Sequence, residues 1–295
     1  MNRDLGRVGI WTGSLGGLPA TRVRERAAEL DELGYGVVWV PDAMSRDPFV
    51  AAMLVLEGGS RLVAATGVAG IHGRGPVAMR AAWESVTEAG EGRFVLGLGV
   101  SHAVLVEGVL GHEYRQPVAT MREYLDAMDA APYLAATGPS PRSRVLAALG
   151  PRMLDLARER ADGALTYFVP VEHTSVAREL LGGDAMLAVE QAVVLARDPD
   201  EARRVARLHM QIYLGLPNYA NNLRRLGWLD DDLASAGSDR LVDALVAWGD
   251  ETAIRERVDA HLRAGADHVC VQVLTDPQFR DCVEEWRELA PALLD

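Results

Sequence analysis

The chain has 295 residues, 49% hydrophobic and 24% charged, a balance that supplies a core and excludes a disordered protein. Its 30 basic residues are all arginine, and without lysine there is no pyridoxal-phosphate aldimine, no Schiff-base aldolase and no Walker-type phosphate-binding lysine. A net charge of −12 argues against a duplex nucleic-acid partner, so an anionic ligand needs a local site of Arg forks, hydroxyls or helix-start N–H groups.

Short β-branched runs alternate with helical patterns, the mark of repeated βα units and a parallel sheet. The first run, about residues 7–12, leads to a helix over Ala20–Leu33, in which Val23, Ala27 and Leu30 share a face and Gly34 reads as the C-cap. The second, Val37–Val40, exits through PDAMSRDP into an apolar helix from Phe49. The third, about residues 62–71, exits through GIHGRGP to a helix opened by Pro76, a residue suited to the first helical turn. FVLGLGV, residues 94–100, is the fourth, with a helix over about residues 118–130. The loop ATGPSPRS leads to the fifth, RVLAAL, after which Gly150 and Pro151 open a helix to about Arg160. GALTYF, residues 163–168, is the sixth, and the seventh lies within residues 185–195. The eighth is HVCVQVL, residues 268–274, preceded by a helix over residues 252–264 that closes with Gly265.

More than 70 residues separate the last two strands, too many for one crossover, so a helical insertion is expected at roughly residues 214–240. The reading is an α/β (β/α)8 TIM barrel with that insertion between strands 7 and 8, a single domain over residues 1–295. A doubly wound open sheet is the alternative. Its dinucleotide turn GxGxxG is not matched by TGSLGGLPA after the first strand.

A barrel carries function at the C-terminal strand ends. Those ends hold Trp11; Asp42 and Arg46; Gly67, Val68 and His72; Ser101 and His102; Gly150; Tyr167; Glu190 and Gln191; and Gln272. No His-x-His opens the first strand, so no metal site is expected. Only Asp42 and Glu190 could form a glycosidase pair, and Glu190 lies deeper in its strand. No GxSxG elbow is present. Glycines at several strand ends, Gly97 and Gly99 among them, suit a broad flat ligand pressed on backbone, and the Gly150-Pro151 helix start suits a phosphate; barrel bulges and a plain helix start are the bland alternatives.

MNRDLGRVGIW does not match a secretory leader, and no apolar run reaches the roughly 18 residues of a membrane span, so a cytoplasmic protein without membrane partners is expected. Cys270 and Cys282 are too few for a disulfide framework and match no CxxC motif.

Four segments, GYGVVWVPDA, ATGVAGIHGRGP, RFVLGLGVSH and LAALGPRMLDLARERADGA, stand in order at barrel spacing. Together they resemble the bacterial luciferase-like superfamily, most nearly its actinobacterial oxidoreductases that use coenzyme F420, a deazaflavin, and the resemblance covers residues 8–274. It implies a homodimer and a flavin or deazaflavin at the C-terminal mouth of the barrel. It also implies a non-proline cis peptide in the third strand, which by position joins Gly67 and Val68. The cofactor phosphate would lie at Gly150 and Tyr167. In a sugar-phosphate-oxidising relative the second-strand motif is Asp-His and a Glu ends strand four; here Asp42 is followed by Ala43 and His102 ends strand four, which argues against that reaction.

The resulting expectation is hydride transfer between F420 and a small organic substrate. His102 is either the proton donor or a rim contact. Asp42, Gly67, Val68, Gly99, Ser101, His102, Gly150 and Tyr167 would meet the cofactor, and Trp11, Arg46 and His72 the substrate. An FMN-dependent monooxygenase or reductase, and a barrel that binds such a ligand without turnover, are the alternatives. Tyr219 and Trp228 of the insertion would form a lid or a dimer contact.

Overall fold

The computed structural model describes residues 5–139 and 142–294. The first four residues of the N-terminal stretch, and Ser140 and Pro141 of the loop before the fifth strand, lie outside them. Eight parallel strands form the frame: β1 Val8–Trp11, β2 Val37–Val40, β3 Val63–Thr66, β4 Phe94–Gly99, β5 Ser143–Ala147, β6 Gly163–Thr166, β7 Met186–Leu195 and β8 His268–Val273. They pair in chain order, and β8 pairs with both β7 and β1, which closes a (β/α)8 barrel and removes the open-sheet alternative. The runs VVWV and MLAVEQAVVL are apolar nearly throughout because both their faces are covered, by the barrel core inside and helices outside.

The expected third strand breaks in two. From Ala65↔Val95 the register jumps to Ala69↔Leu98, so four steps along β3 and its continuation Ala69–Gly70 oppose three along β4, a one-residue bulge. The peptide joining Gly67 and Val68 within it is cis.

A further strand, Val246–Gly249, was not legible as one because it is a short apolar run within helical sequence. Its cause lies in β7, which at ten residues outlasts β6. The β6 pairing ends at Thr166↔Val189, and Val246–Gly249 takes up the free edge at Ala192 to Leu195. Three helices precede it after the long helix Pro199–Leu214: Pro217–Arg225, Asp230–Leu233 and Asp239–Leu245.

The helices expected before Gly34, after Pro76 and after Gly150 form as Ala20–Leu33, Pro76–Ala89 and Pro151–Arg160. Gly34 takes φ 98° and returns its N–H to the Asp31 and Leu30 carbonyls, a left-handed cap that glycine adopts at least cost. A C-terminal helix, Val283–Leu294, buries Trp286 and receives the Tyr35 hydroxyl on the Trp286 carbonyl at 2.9 Å. Inside the barrel Trp39, Ala65, Val95, Val145, Leu165, Ala188 and Cys270 pack as one cluster. Among the described residues no helix is long and apolar enough to cross a membrane.

Candidate active site

At the C-terminal mouth lies a cleft of about 420 Å³, and six of the expected residues line it: Val68, Gly99, Ser101, His102, Gly150 and Tyr167. The bulge after β3 brings Val68 over Gly99: a Cβ built on Gly99 would fall 2.5 Å from Val68 Cγ2. Gly97 is tighter still, with Thr66 carbonyl oxygen 2.0 Å from where a Cβ would be. Strand-to-strand contact therefore already requires both glycines, and only Gly99 also faces the cleft.

Beneath the cleft, the Trp11 indole N–H donates to the Gly67 carbonyl at 3.0 Å, and its ring stands 5.2 Å from that of Tyr167. Trp11 and Gly67 thus support the lining from below. Asp42 is exposed, and its carboxylate accepts the Gly70 N–H at 3.0 Å, tying the loop after β2 to the bulge. Arg46 turns back to donate to the Leu18 carbonyl at 2.6 Å. His72 packs 6.0 Å from Tyr114, and burial, then the neighbouring His112, holds its pKa below the usual imidazole range. Asp42, Arg46 and His72 lie off the lining of the cleft.

At the rim, Ser101 takes a left-handed φ of 58° and His102 follows it. The His102 ring is 5.5 Å from Tyr219. Burial lowers its pKa and a side-chain hydrogen bond with Asn218 partly offsets that, so it stands as a neutral imidazole at neutral pH.

At the far end, Gly150 caps helix Pro151–Arg160, which has no side-chain cap and no acidic residue in its first turn; Pro151 has no N–H and the Met153 N–H bonds the Gly150 carbonyl at 3.1 Å, so the Arg152 N–H and the positive dipole end face outward to an anion. Two cations that sequence reasoning missed, Arg152 and Arg225, line the cleft here. A Cβ on Gly150 would stand 3.5 Å from Arg225 Nη2, which also donates to Asn222 Oδ1 at 3.0 Å. Arg152 was legible in GPRM beside the glycine. Arg225 was not, because only the docking of helix Pro217–Arg225 brings it there. The preceding Leu149 carbonyl accepts from His173 Nε2 at 2.9 Å, which holds the helix start in place.

The wall on the β7 and β8 side is aromatic and uncharged. The Tyr167 hydroxyl lies 2.8 Å from Gln272 Oε1 and 3.0 Å from the Tyr213 hydroxyl; with one proton it donates to one of them. Tyr213 and Tyr219 meet edge to face with centroids 5.3 Å apart, and His209 lies 4.7 Å from Tyr213. Burial pushes the His209 imidazole down to about 3, so it is neutral, and its Nε2 has no partner among the described residues. Below these rings Glu190, 2% exposed, is pushed up to about 8 by burial.

A family model described as luciferase-like monooxygenase matches residues 5–268. A Mycobacterium tuberculosis protein, whose name assigns it provisionally to the coenzyme F420-dependent oxidoreductases, is 24% identical over 93% of this chain and 97% of its own length. Among solved structures, the coenzyme F420-dependent tetrahydromethanopterin reductase of Methanopyrus kandleri superposes with a TM-score of 0.78 at 15% identity, covering 98% of this chain and 99% of that one. An F420-dependent secondary alcohol dehydrogenase in complex with an F420-acetone adduct does so with a TM-score of 0.76 at 13% identity, over 98% and 99% of the two chains.

Proposed function

The chain belongs to the luciferase-like monooxygenase family, an enzyme family, and we propose that within it this protein is an oxidoreductase passing a hydride between coenzyme F420 and a small organic substrate. The observation that carries the reading is the cleft itself, a flat apolar floor that ends at a bare helix start flanked by two arginines. Val68, Gly99 and Ala147 offer a ring system no competing charge, while the helix start offers a phosphate its dipole and the Arg152 N–H, and Arg152 and Arg225 offer guanidinium forks. The residues present therefore fit a phosphorylated deazaflavin. Bound there, the cofactor supplies a two-electron hydride equivalent, and the protein supplies orientation and proton handling.

Each side chain then has a task. Arg152 and Arg225 bind the phosphate. Trp11, through the Gly67 carbonyl, and Asp42, through the Gly70 N–H, fix the bulge on which the ring rests. Ser101 contacts the rim, and His102, hydrogen-bonded to Asn218, handles the proton of the reaction there. A homodimer, in a chain we take as one domain, fits the half-exposed Val50 and Val77 on helices Pro48–Gly58 and Pro76–Ala89.

FMN would present its phosphate to the same helix start, so the two cofactors are separated by titration. Each is added to the protein while indole fluorescence, to which Trp11 beneath the cleft contributes, is followed. Micromolar F420 binding with weaker FMN binding is expected. Tight FMN binding without a response to F420 overturns the cofactor assignment.

A further inference from the structure

Among the described residues the insertion enters the cleft through one helix, Pro217–Arg225, whose Asn218, Tyr219 and Arg225 line it. Asn218, Asn222 and Arg225 follow at helical spacing and share a face, so Asn218 and Arg225 stand about 10 Å apart along the axis. Each end of the helix touches a different part of the site. At the C-terminal end the Arg225 guanidinium stands beside Gly150, and the buried Asn222 accepts from it on Oδ1 at 3.0 Å, which ties the guanidinium to its own helix. At the N-terminal end a side-chain hydrogen bond joins Asn218 to His102, and the Tyr219 ring lies 5.5 Å from the imidazole. Between these ends the helix packs chiefly on helix Pro199–Leu214, so its seat on the barrel mouth is set by the side chains at its two ends.

A short helix with its backbone bonds intact moves as a unit, so fixing one end constrains the other. Gly215 and Gly227, the latter at φ 93°, flank it and let the backbone adjust on either side. The Asn218 contact matters because a neutral imidazole has two tautomers, and the hydrogen bond made by one ring nitrogen decides which nitrogen carries the proton. We propose that Asn218 is a positioning residue for His102, and that an anion drawn to Arg225 at the Gly150 helix start seats helix Pro217–Arg225 so that Asn218 holds the imidazole in one tautomer. The phosphate of the cofactor then does more than anchor it: it sets the proton-handling side chain about 10 Å along the helix. This rests on the oxidoreductase reading of the cleft, and it assigns how that site is regulated.

The test uses the cofactor-free full chain, labelled with nitrogen-15 in its histidines, with inorganic phosphate as the probe and magnetic resonance of the ring nitrogens as the readout. His102→Gln identifies the His102 signals. The two nitrogens of a ring resonate far apart when one tautomer is held and draw together when both are populated. Saturating phosphate should widen the His102 separation in the native protein. Arg225→Ala should bind phosphate about 5-fold more weakly, through the helix start and Arg152, and at saturation should leave His102 unmoved, which separates action through the helix from the direct field of the anion. Asn218→Leu should show a narrow separation with or without phosphate, while Asn218→Gln, which keeps the amide, should recover part of the response. No phosphate binding to the native protein, binding without a change at His102, or an equal change in Arg225→Ala would each overturn the proposal. F420 titrated separately into the native protein reports on the cofactor reading: F420 binding beside an unresponsive His102 overturns the coupling alone, and absence of F420 binding overturns that reading itself.

Discussion

On the β5 and β6 side the barrel mouth ends at a helix start flanked by Arg152 and Arg225, both solvent-exposed; on the β7 and β8 side it ends in tyrosines that cover the buried Glu190 and Gln272, with no cation facing the acid among the described residues. One half of the mouth is arranged to attract an anion, the other to hold none. In a chain of net charge −12 the first half must work against the overall field, and it does so with backbone dipole and guanidinium at short range, where the global charge is screened. The second half excludes charge by desolvation, which acts at contact and is insensitive to salt. The two ends of the mouth thus treat charge by different physical mechanisms as well as at different positions.

The largest effect should come from removing the buried acid. In the unfolded chain a Glu titrates near its ordinary value of 4.5, whereas folded Glu190 is raised to about 8. Between those values the folded state binds the extra proton, so the stability tied to this group is fully present below 4.5 and is lost as pH rises to about 8. Glu190→Leu should therefore raise stability at pH 7 by about 3 kcal/mol, with the advantage over the native protein shrinking on acidification. Chemical denaturation of both proteins from pH 4 to 8.5 reads it. Parallel pH curves would show that Glu190 is ionised and would break the contrast between the two halves.

Next in size is His102, which sits where the halves meet, against Tyr219 on one side and Asn218 on the other. If it holds the proton of the reaction, His102→Gln should cut turnover about 100-fold with F420 affinity unchanged. A loss confined to cofactor affinity would move His102 to the anchoring half as a rim contact.

Legibility in the sequence follows the same division. The barrel was readable because its strands are buried on both faces and its helices carry local end signals such as Gly34, Pro76 and Gly150. The anchoring half was mostly readable, since Val68, Gly99, Ser101, His102 and Gly150 sit at strand ends or in the turns after them. The tyrosine half was not. Tyr213 and Tyr219 come from helices whose docking depends on tertiary packing, as does Arg225 of the other half, and His209 reads simply as a helical residue. Glu190 was visible as an inward carboxylate, but its missing partner is a property of the surrounding layer. Likewise the glycines of GLGVS read as a cofactor floor, whereas Gly97 is explained by the close approach of Thr66 and Val68.

The smallest expected effect tests the anchoring half in isolation. Arg225 is exposed and joins the Gly150 helix start only through the approach of one guanidinium nitrogen, so it acts in solvent rather than in a sealed pocket. Arg225→Ala should weaken F420 about 5–10-fold at low salt, because one charge-assisted contact is lost while the helix start and Arg152 remain. At an ionic strength near 1 M the screening length falls to about 3 Å and the native and variant affinities should converge. An Arg225→Ala protein whose F420 deficit persists at high salt would mean that the guanidinium is desolvated on binding, making the anchor a closed site.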